Sequence, residues 1–182
     1  MTRLLATLAV ALSLATPAAA RQDDARLDDL FSALVATDDG QKAQGIEAEI
    51  WAIWMESGNP EIDRLLTTGT EAMAKRRFDD ALDAFNAVIA ADPDFAEGWN
   101  KRATLYYLMG RYRESTADVE RTLALEPRHF GALSGMGLIA SALGDDKAAL
   151  GWFERALAVN PHMPVVRLRV KLLRKRLGGE PI

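Results

Sequence analysis

Leu27, Leu30, Phe31, Leu34 and Val35 recur at the spacing of one helix face, as do Ile46, Ile50, Ile53 and Trp54 with Trp51 beside them. This spacing predicts helices over residues 24–37 and 41–57, parted by Asp38-Asp39-Gly40 and closed by Ser57-Gly58-Asn59-Pro60. Beyond Pro60 the pattern acquires a longer period. Pro93, Pro127 and Pro161 stand 34 residues apart, each after a similar run (Val88 to Asp92, Leu123 to Glu126, Leu157 to Asn160). Large residues open the segment after each break at Leu65, Trp99 and Leu133. A small residue follows at Gly69, Ala103 and Gly137, a second at Ala81, Ser115 and Ala149, and a bulky one four positions later at Phe85, Val119 and Phe153. Arg76, Gly110 and Gly144 fall between the two halves of each unit.

A proline lacks the amide hydrogen that a helix interior needs and disfavours helix in the residue before it, so each one separates two helices. Glycine between the halves permits the left-handed turn that ends a helix. A small residue on each facing surface lets two antiparallel helices approach, and the bulky residue fills the space beside them. One such pair cannot cover its own apolar face. Stacked pairs can, and the stack is a solenoid.

A 34-residue unit with this small, large and proline pattern resembles the tetratricopeptide repeat. The resemblance implies an all-α fold, a right-handed solenoid of antiparallel helix pairs, with repeats at 62–95, 96–129 and 130–163. The runs Trp99 to Gly110 and Pro127 to Gly135 also resemble exported bacterial members of the family. Residues 21–61 are then an N-terminal helical cap resembling a degenerate leading repeat, although Pro60 precedes Pro93 by 33 residues and the register slips by one. Trp51 and Trp54 are expected as core against the next repeat, with a binding platform as the alternative. Residues 164–182 are expected to hold a capping helix opened by Pro164, with Val166, Val170, Leu173 and Leu177 as one apolar stripe that Val165, Leu168 and Leu172 widen.

The first twenty residues read differently. Arg3 precedes an apolar run from Leu4 to Ala15, then Pro17 and Ala18-Ala19-Ala20, the order of a secretory signal peptide. The run is about 12 residues, short of the roughly 20 that span a bilayer. Cleavage after Ala20 and a periplasmic or secreted location are expected. Removal of Arg3 moves the formal net charge from −4 to −5. A mildly acidic chain lacks the basic footprint of a nucleic-acid binder.

Charge is also unevenly placed. Residues 21–63 hold eleven acids against three bases, whereas 164–182 hold six bases against Glu180. This asymmetry predicts head-to-tail association of the two ends as a route to a homo-oligomer. It also leaves a rival reading, a peripheral protein docking on anionic lipid or cell-wall polymer through Arg167, Lys171, Arg174 and Lys175. Those side chains equally suit the polar outer face and C-terminal dipole of a capping helix.

No cysteine is present, and His129 and His162 stand in no metal-ligand spacing, so neither thiol chemistry nor a metal site is expected. Glycine-flanked nucleophile, phosphate-loop and dinucleotide motifs are missing as well, so no catalytic residue and no cofactor are assigned.

The resemblance implies that first helices line a concave groove holding a peptide or helix of another protein. By position the groove takes Leu66, Thr70 and Met73 from the first repeat and Asn100, Lys101, Thr104 and Tyr107 from the second. Ser134, Leu138 and Ser141 come from the third, and Asp63, Glu97 and Gly131 fall on the same face. Chaperone adaptors of the family clamp a C-terminal carboxylate with lysines, an arginine and asparagines. The matching places here are Leu66, Thr70, Lys101, Gly131 and Gly135, so that clamp is not expected. Arg102 replaces an aliphatic residue and needs an acid. Asp118 is the candidate for a structural ion pair, with an Arg102–Asp118–His129 ligand-touching cluster as the alternative. His129 is otherwise expected to satisfy backbone at a helix start.

Overall fold

A computed structural model describes residues 21–178; the expected leader (1–20) and the final four residues lie outside the described residues. Nine helices and no strand occur among the described residues: α1 (Arg26–Ala36), α2 (Gly40–Met55), α3 (Pro60–Ala74), α4 (Phe78–Ala91), α5 (Ala96–Leu108), α6 (Tyr112–Leu125), α7 (Phe130–Ala142), α8 (Asp146–Val159) and α9 (Pro164–Leu177).

Local chemistry sets the boundaries. Asp39 accepts from the amides of Gln41 and Lys42 to open α2, Asn59 accepts from Glu61, and Asp145 accepts from Ala148. Pro60 and Pro164 sit in first turns, where a missing amide hydrogen costs nothing. Arg76, Gly110 and Gly144 all adopt positive φ (58°, 73° and 81°). The residue after each returns its amide to the last turn: Arg77 to Ala72, Arg111 to Tyr106 and Asp145 to Ala140, at 2.8–2.9 Å. Arg76 does the work of a glycine, as its place in the period implied.

The pairs α3–α4, α5–α6 and α7–α8 stack in register, and α9 packs on α8 through Val166, Val170 and Leu173. The small-beside-large pattern is a packing requirement. A Cβ on Gly69 would stand 2.5 Å from Phe85 Cε1, and one on Gly137 2.5 Å from Phe153 Cδ1. Phe85, Phe153, Ala81 and Ala149 are fully buried. In the middle repeat Ala103 faces Val119, and the small residue is Ser115, whose hydroxyl donates to Ala103 O at 2.7 Å.

The N-terminal hairpin departs from the expected leading repeat. Its core (Leu27, Phe31, Leu34, Ile46, Ile50, Ile53, Trp54) closes on Phe130, Val159 and Met163, not on the first repeat's core, against which Met55 packs. α1 and the residues just before it run along the edge of the stack and tie down all three proline loops. Arg21 pairs with Asp92 at 3.0 Å, Gln22 bonds Asp94 O, Arg128 pairs with Asp28 at 2.6 Å, and His162 Nε2 donates to Leu34 O at 3.1 Å. α2 then crosses the N-terminal ends of α5 and α7. The reason lies in its side chains: two indoles cannot nest as a small-beside-large pair does, and they need a receiving surface. Gly131 supplies one, since a Cβ there would stand 2.8 Å from Trp51 Cη2.

Gly137→Ala is therefore expected to lower stability by about 1–3 kcal/mol, because Phe153 has no free volume to retreat into. Gly151→Ala, on the exposed face of α8 with nothing near the new Cβ, is expected to raise it by about 0.5–1 kcal/mol. Urea unfolding midpoints at unchanged slope measure both.

Candidate partner-binding groove

The concave face is built from α3, α5 and α7, and α2 occupies part of it. Trp51 stands edge-on to Phe130 (5.4 Å), and Trp54 stacks flat on His129 (4.1 Å between centroids, 9° between planes). His129 is fully buried and doubly fixed. Its Nδ1 accepts from Ala132 N at 3.1 Å, so its Nε2 carries the hydrogen and donates to Glu97 Oε2 at 3.0 Å. Glu97, also buried, pairs through Oε1 with Lys101 Nζ at 3.0 Å and accepts from Asn100 Nδ2 at 2.9 Å. The Lys101 ammonium lies 5.8 Å from the Trp51 ring centroid.

This cluster alters the expected lining. Lys101 and Glu97 are internal partners under α2, and Gly131 makes room for Trp51 before it makes room for a ligand. Leu66 is fully buried in the first repeat's core, where Met55 packs on the same cluster, so it offers no groove surface. Met73 joins that core and Thr70 donates its hydroxyl to Leu66 O. Asp63 accepts from the Ser57 amide and hydroxyl, both at 2.7 Å, and fastens the entry to α3. The first repeat's inner face is thus closed by the chain that enters it.

The second and third repeats keep an open surface. Asn100, Thr104, Tyr107, Ser134 and Leu138 meet around a narrow cleft of about 110 Å³ between α5 and α7, floored by Ser115 and Val119 of α6. Tyr107 is steadied by the Tyr112 ring at 5.6 Å. A wider cleft of about 340 Å³ adjoins it between α7 and α9. It shares Ser134 and Leu138 and adds Met163, Val165 and Arg169, with Glu47 of α2 at its margin. Ser141 falls outside both, in a separate cleft with Leu172 and Arg176. Glu47, Val165 and Arg169 were not foreseen. The signal for the α9 wall was present: Val165, Leu168 and Leu172 follow Gly131, Ser134 and Leu138 by the same 34 residues.

Arg102 grips Asp118 with two nitrogens at 2.7 and 2.8 Å and gives a third to Asn86 Oδ1 at 2.8 Å. The pair ties α5 to α6, and His129 lies in the other cluster, so the three-residue alternative does not form. On α9, Arg174 pairs with Glu154 and Arg176 with Asp146. Arg167, Lys171, Arg174 and Lys175 share a convex groove of about 800 Å³ with Leu157 and Val170. No group of three or more metal-ligating side chains converges among the described residues.

Burial pushes the Glu97 carboxyl up, but the His129 hydrogen bond and the Lys101 charge outweigh it and hold the group below its ordinary value. A carboxyl so held contributes stability that is complete above its ordinary pKa of 4.5 and fades as pH falls through the lower folded value. Glu97→Gln is expected to cost about 1–3 kcal/mol near neutrality. Its deficit against the parent should shrink in acid below the ordinary value; unfolding free energies measured across that range check this.

A family model for the tetratricopeptide repeat matches residues 66–114 and 100–164. A TPR repeat-containing protein of Rhizobium etli is 44% identical over 154 residues, covering 85% of this chain and 76% of that one. Two solved structures share the fold. The Sgt2 TPR domain from Aspergillus fumigatus has a TM-score of 0.62 at 22% identity, over 68% of this chain and 87% of that one. The first TPR of Spaghetti (RPAP3) bound to HSP90 peptide SRMEEVD has a TM-score of 0.61 at 21% identity, over 64% and 93%.

Proposed function

The chain belongs to the tetratricopeptide-repeat family, and on that premise we propose that it is a non-catalytic adaptor of the cell envelope. It holds a segment of another protein in the trough that α2 leaves free. The observation behind this reading is the meeting of two clefts at Ser134 and Leu138, one narrow and hydroxyl-lined, the other wider and more apolar. Apolar floors ringed by a few oriented polar groups are what a peptide anchor needs. Tyr107 and Asn100 supply the hydrogen bonds at one margin and Arg169 a cation at the other. The solved Spaghetti repeat domain holds a peptide of another protein, which supports the same use here.

The partner is not held by an end-carboxylate clamp. Of the five matching positions, Leu66 is buried, Lys101 is committed to Glu97, and Gly131 lies under Trp51. Recognition of an internal stretch through Leu138 and its neighbours fits the surface better. The envelope assignment rests on the leader-like order of Arg3, the apolar run and Ala18 to Ala20.

Two measurements test the reading. Photocrosslinkers at Tyr107 and Leu138 are expected to capture the same partner in cells, one at the exposed convex Glu120 is not, and Leu138→Arg should abolish capture at Tyr107. Capture only from Glu120 would place the working surface on the back of the solenoid. The mass of the protein recovered from the envelope is expected to correspond to a chain beginning at Arg21; an intact leader there would remove the export argument.

A further inference from the structure

Seven large apolar side chains stand exposed among the described residues, and four of them are on α9: Val165, Leu168, Leu172 and Leu177. The groove function uses Val165. Leu168 and Leu172, one helical turn apart and 55% and 43% exposed, belong to neither groove cleft. They form a ridge beside Lys171 and Lys175. α9 carries six bases and no acid, and among the described residues Arg174 pairs with Glu154 and Arg176 with Asp146.

A matching hollow lies at the other end of the molecule. The outer side of the α1–α2 hairpin encloses a groove of about 440 Å³ floored by Leu30, Ala52 and Ile53 and rimmed by Asp29, Glu49 and Glu56. The cation on its margin, Arg26, is bound to Asp24 by two hydrogen bonds of 2.9 Å and feels Glu49 and Glu56 only at longer range, so three rim carboxylates outnumber one shared cation. The ridge cannot reach this hollow within one molecule. Val166, Val170 and Leu173 hold α9 on α8, whereas the hollow is made from the N-terminal half of α1 and the C-terminal half of α2. That half of α1 lies toward the first proline loop, to which Arg21 and Gln22 attach.

We propose that the occupant of this hollow is α9 of a second copy. Leu168 and Leu172 seat on Leu30, Ala52 and Ile53, and Lys171 and Lys175 face Asp29, Glu49 and Glu56. Apolar contact at the centre with opposite charges at the margin is the arrangement of a specific interface. The two surfaces differ, so the contact is heterologous and builds chains or rings of successive copies. The patch is small, which makes association weak and salt-sensitive.

The test is sedimentation velocity on protein purified from cells expressing the full chain, from about 1 μM to about 1 mM, the range of weak association. The weight-average mass is expected to climb past that of a dimer at low salt and to fall back in 1 M salt, where the screening length shrinks to about 3 Å. Lys171→Glu with Lys175→Glu should leave a monomer, as should Glu49→Lys with Glu56→Lys, both with unchanged helicity. Mixing the two charge-reversed proteins should restore assembly, because each now supplies the other's complement. Leu168→Ser, which alters no charge, should also weaken association. A monomer at every concentration and salt overturns the proposal, as does assembly indifferent to charge reversal. Vesicles of anionic phospholipid binding the parent monomer through Lys171 and Lys175, without self-association, would assign the ridge to a membrane surface instead. Crosslinking at Leu138 reads the trough separately and stands or falls without this contact.

Discussion

His129 has little freedom. One ring nitrogen takes the Ala132 amide hydrogen, which forces the other to carry the hydrogen that reaches Glu97, and Trp54 covers its face. Removing an indole's surface, about 200 Å², from water contributes about 5 kcal/mol. That exceeds the roughly 1–3 kcal/mol at stake where the buried Trp54 Nε1 meets no acceptor among the described residues. The hairpin is therefore held mainly by burial, and the Glu97–His129 bond decides where that burial takes place. A polar pair fully enclosed by apolar rings specifies one geometry, since any shift leaves a carboxylate without its donors.

From this placement the shape of the working surface follows. A hairpin stacked ahead of α3 would have left three repeats facing an open trough. Laid across α5 and α7 instead, α2 fills the N-terminal edge of the trough and sets Glu47 at the margin of the remaining cleft. The entry to α3 closes the first repeat, with Met55 on its core and Asp63 tied to Ser57. What stays open lies between α5, α7 and α9, shifted toward the C-terminus. Three proline loops are tied together by α1 and the residues just before it, so the same N-terminal segment that narrows the groove fastens its rim.

The repeats were legible because their determinants are local and recur. A small residue beside a bulky one, a left-handed turn at a fixed offset and a proline at each junction agree in phase three times, so even Arg76 could be placed in a glycine's position. The Arg102–Asp118 pair was legible because a guanidinium among aliphatic positions demands an acid nearby. The hairpin's destination was not, since its helices are amphipathic in the ordinary way and nothing in a helical period says which surface will receive two indoles. Gly131 showed the difficulty: a missing side chain reads as room for a ligand or for Trp51, and only coordinates choose. Leu66 failed for a related reason, since a position on the lining face is open only where no other segment covers it. Extending the 34-residue period one helix further would have revealed Val165, Leu168 and Leu172 as continuations of the third repeat's lining.

Because the chain has no cysteine, paired thiols can be introduced without interference. A short bis-maleimide added to Glu47→Cys with Leu138→Cys measures most directly whether α2 lies in the trough. Efficient intramolecular linkage is expected, with none for Glu47→Cys with Asp83→Cys on the outward face of α4. The reverse outcome, linkage to Asp83→Cys and none to Leu138→Cys, would mean that the hairpin stacks as a leading repeat and that the groove described here is drawn in the wrong place.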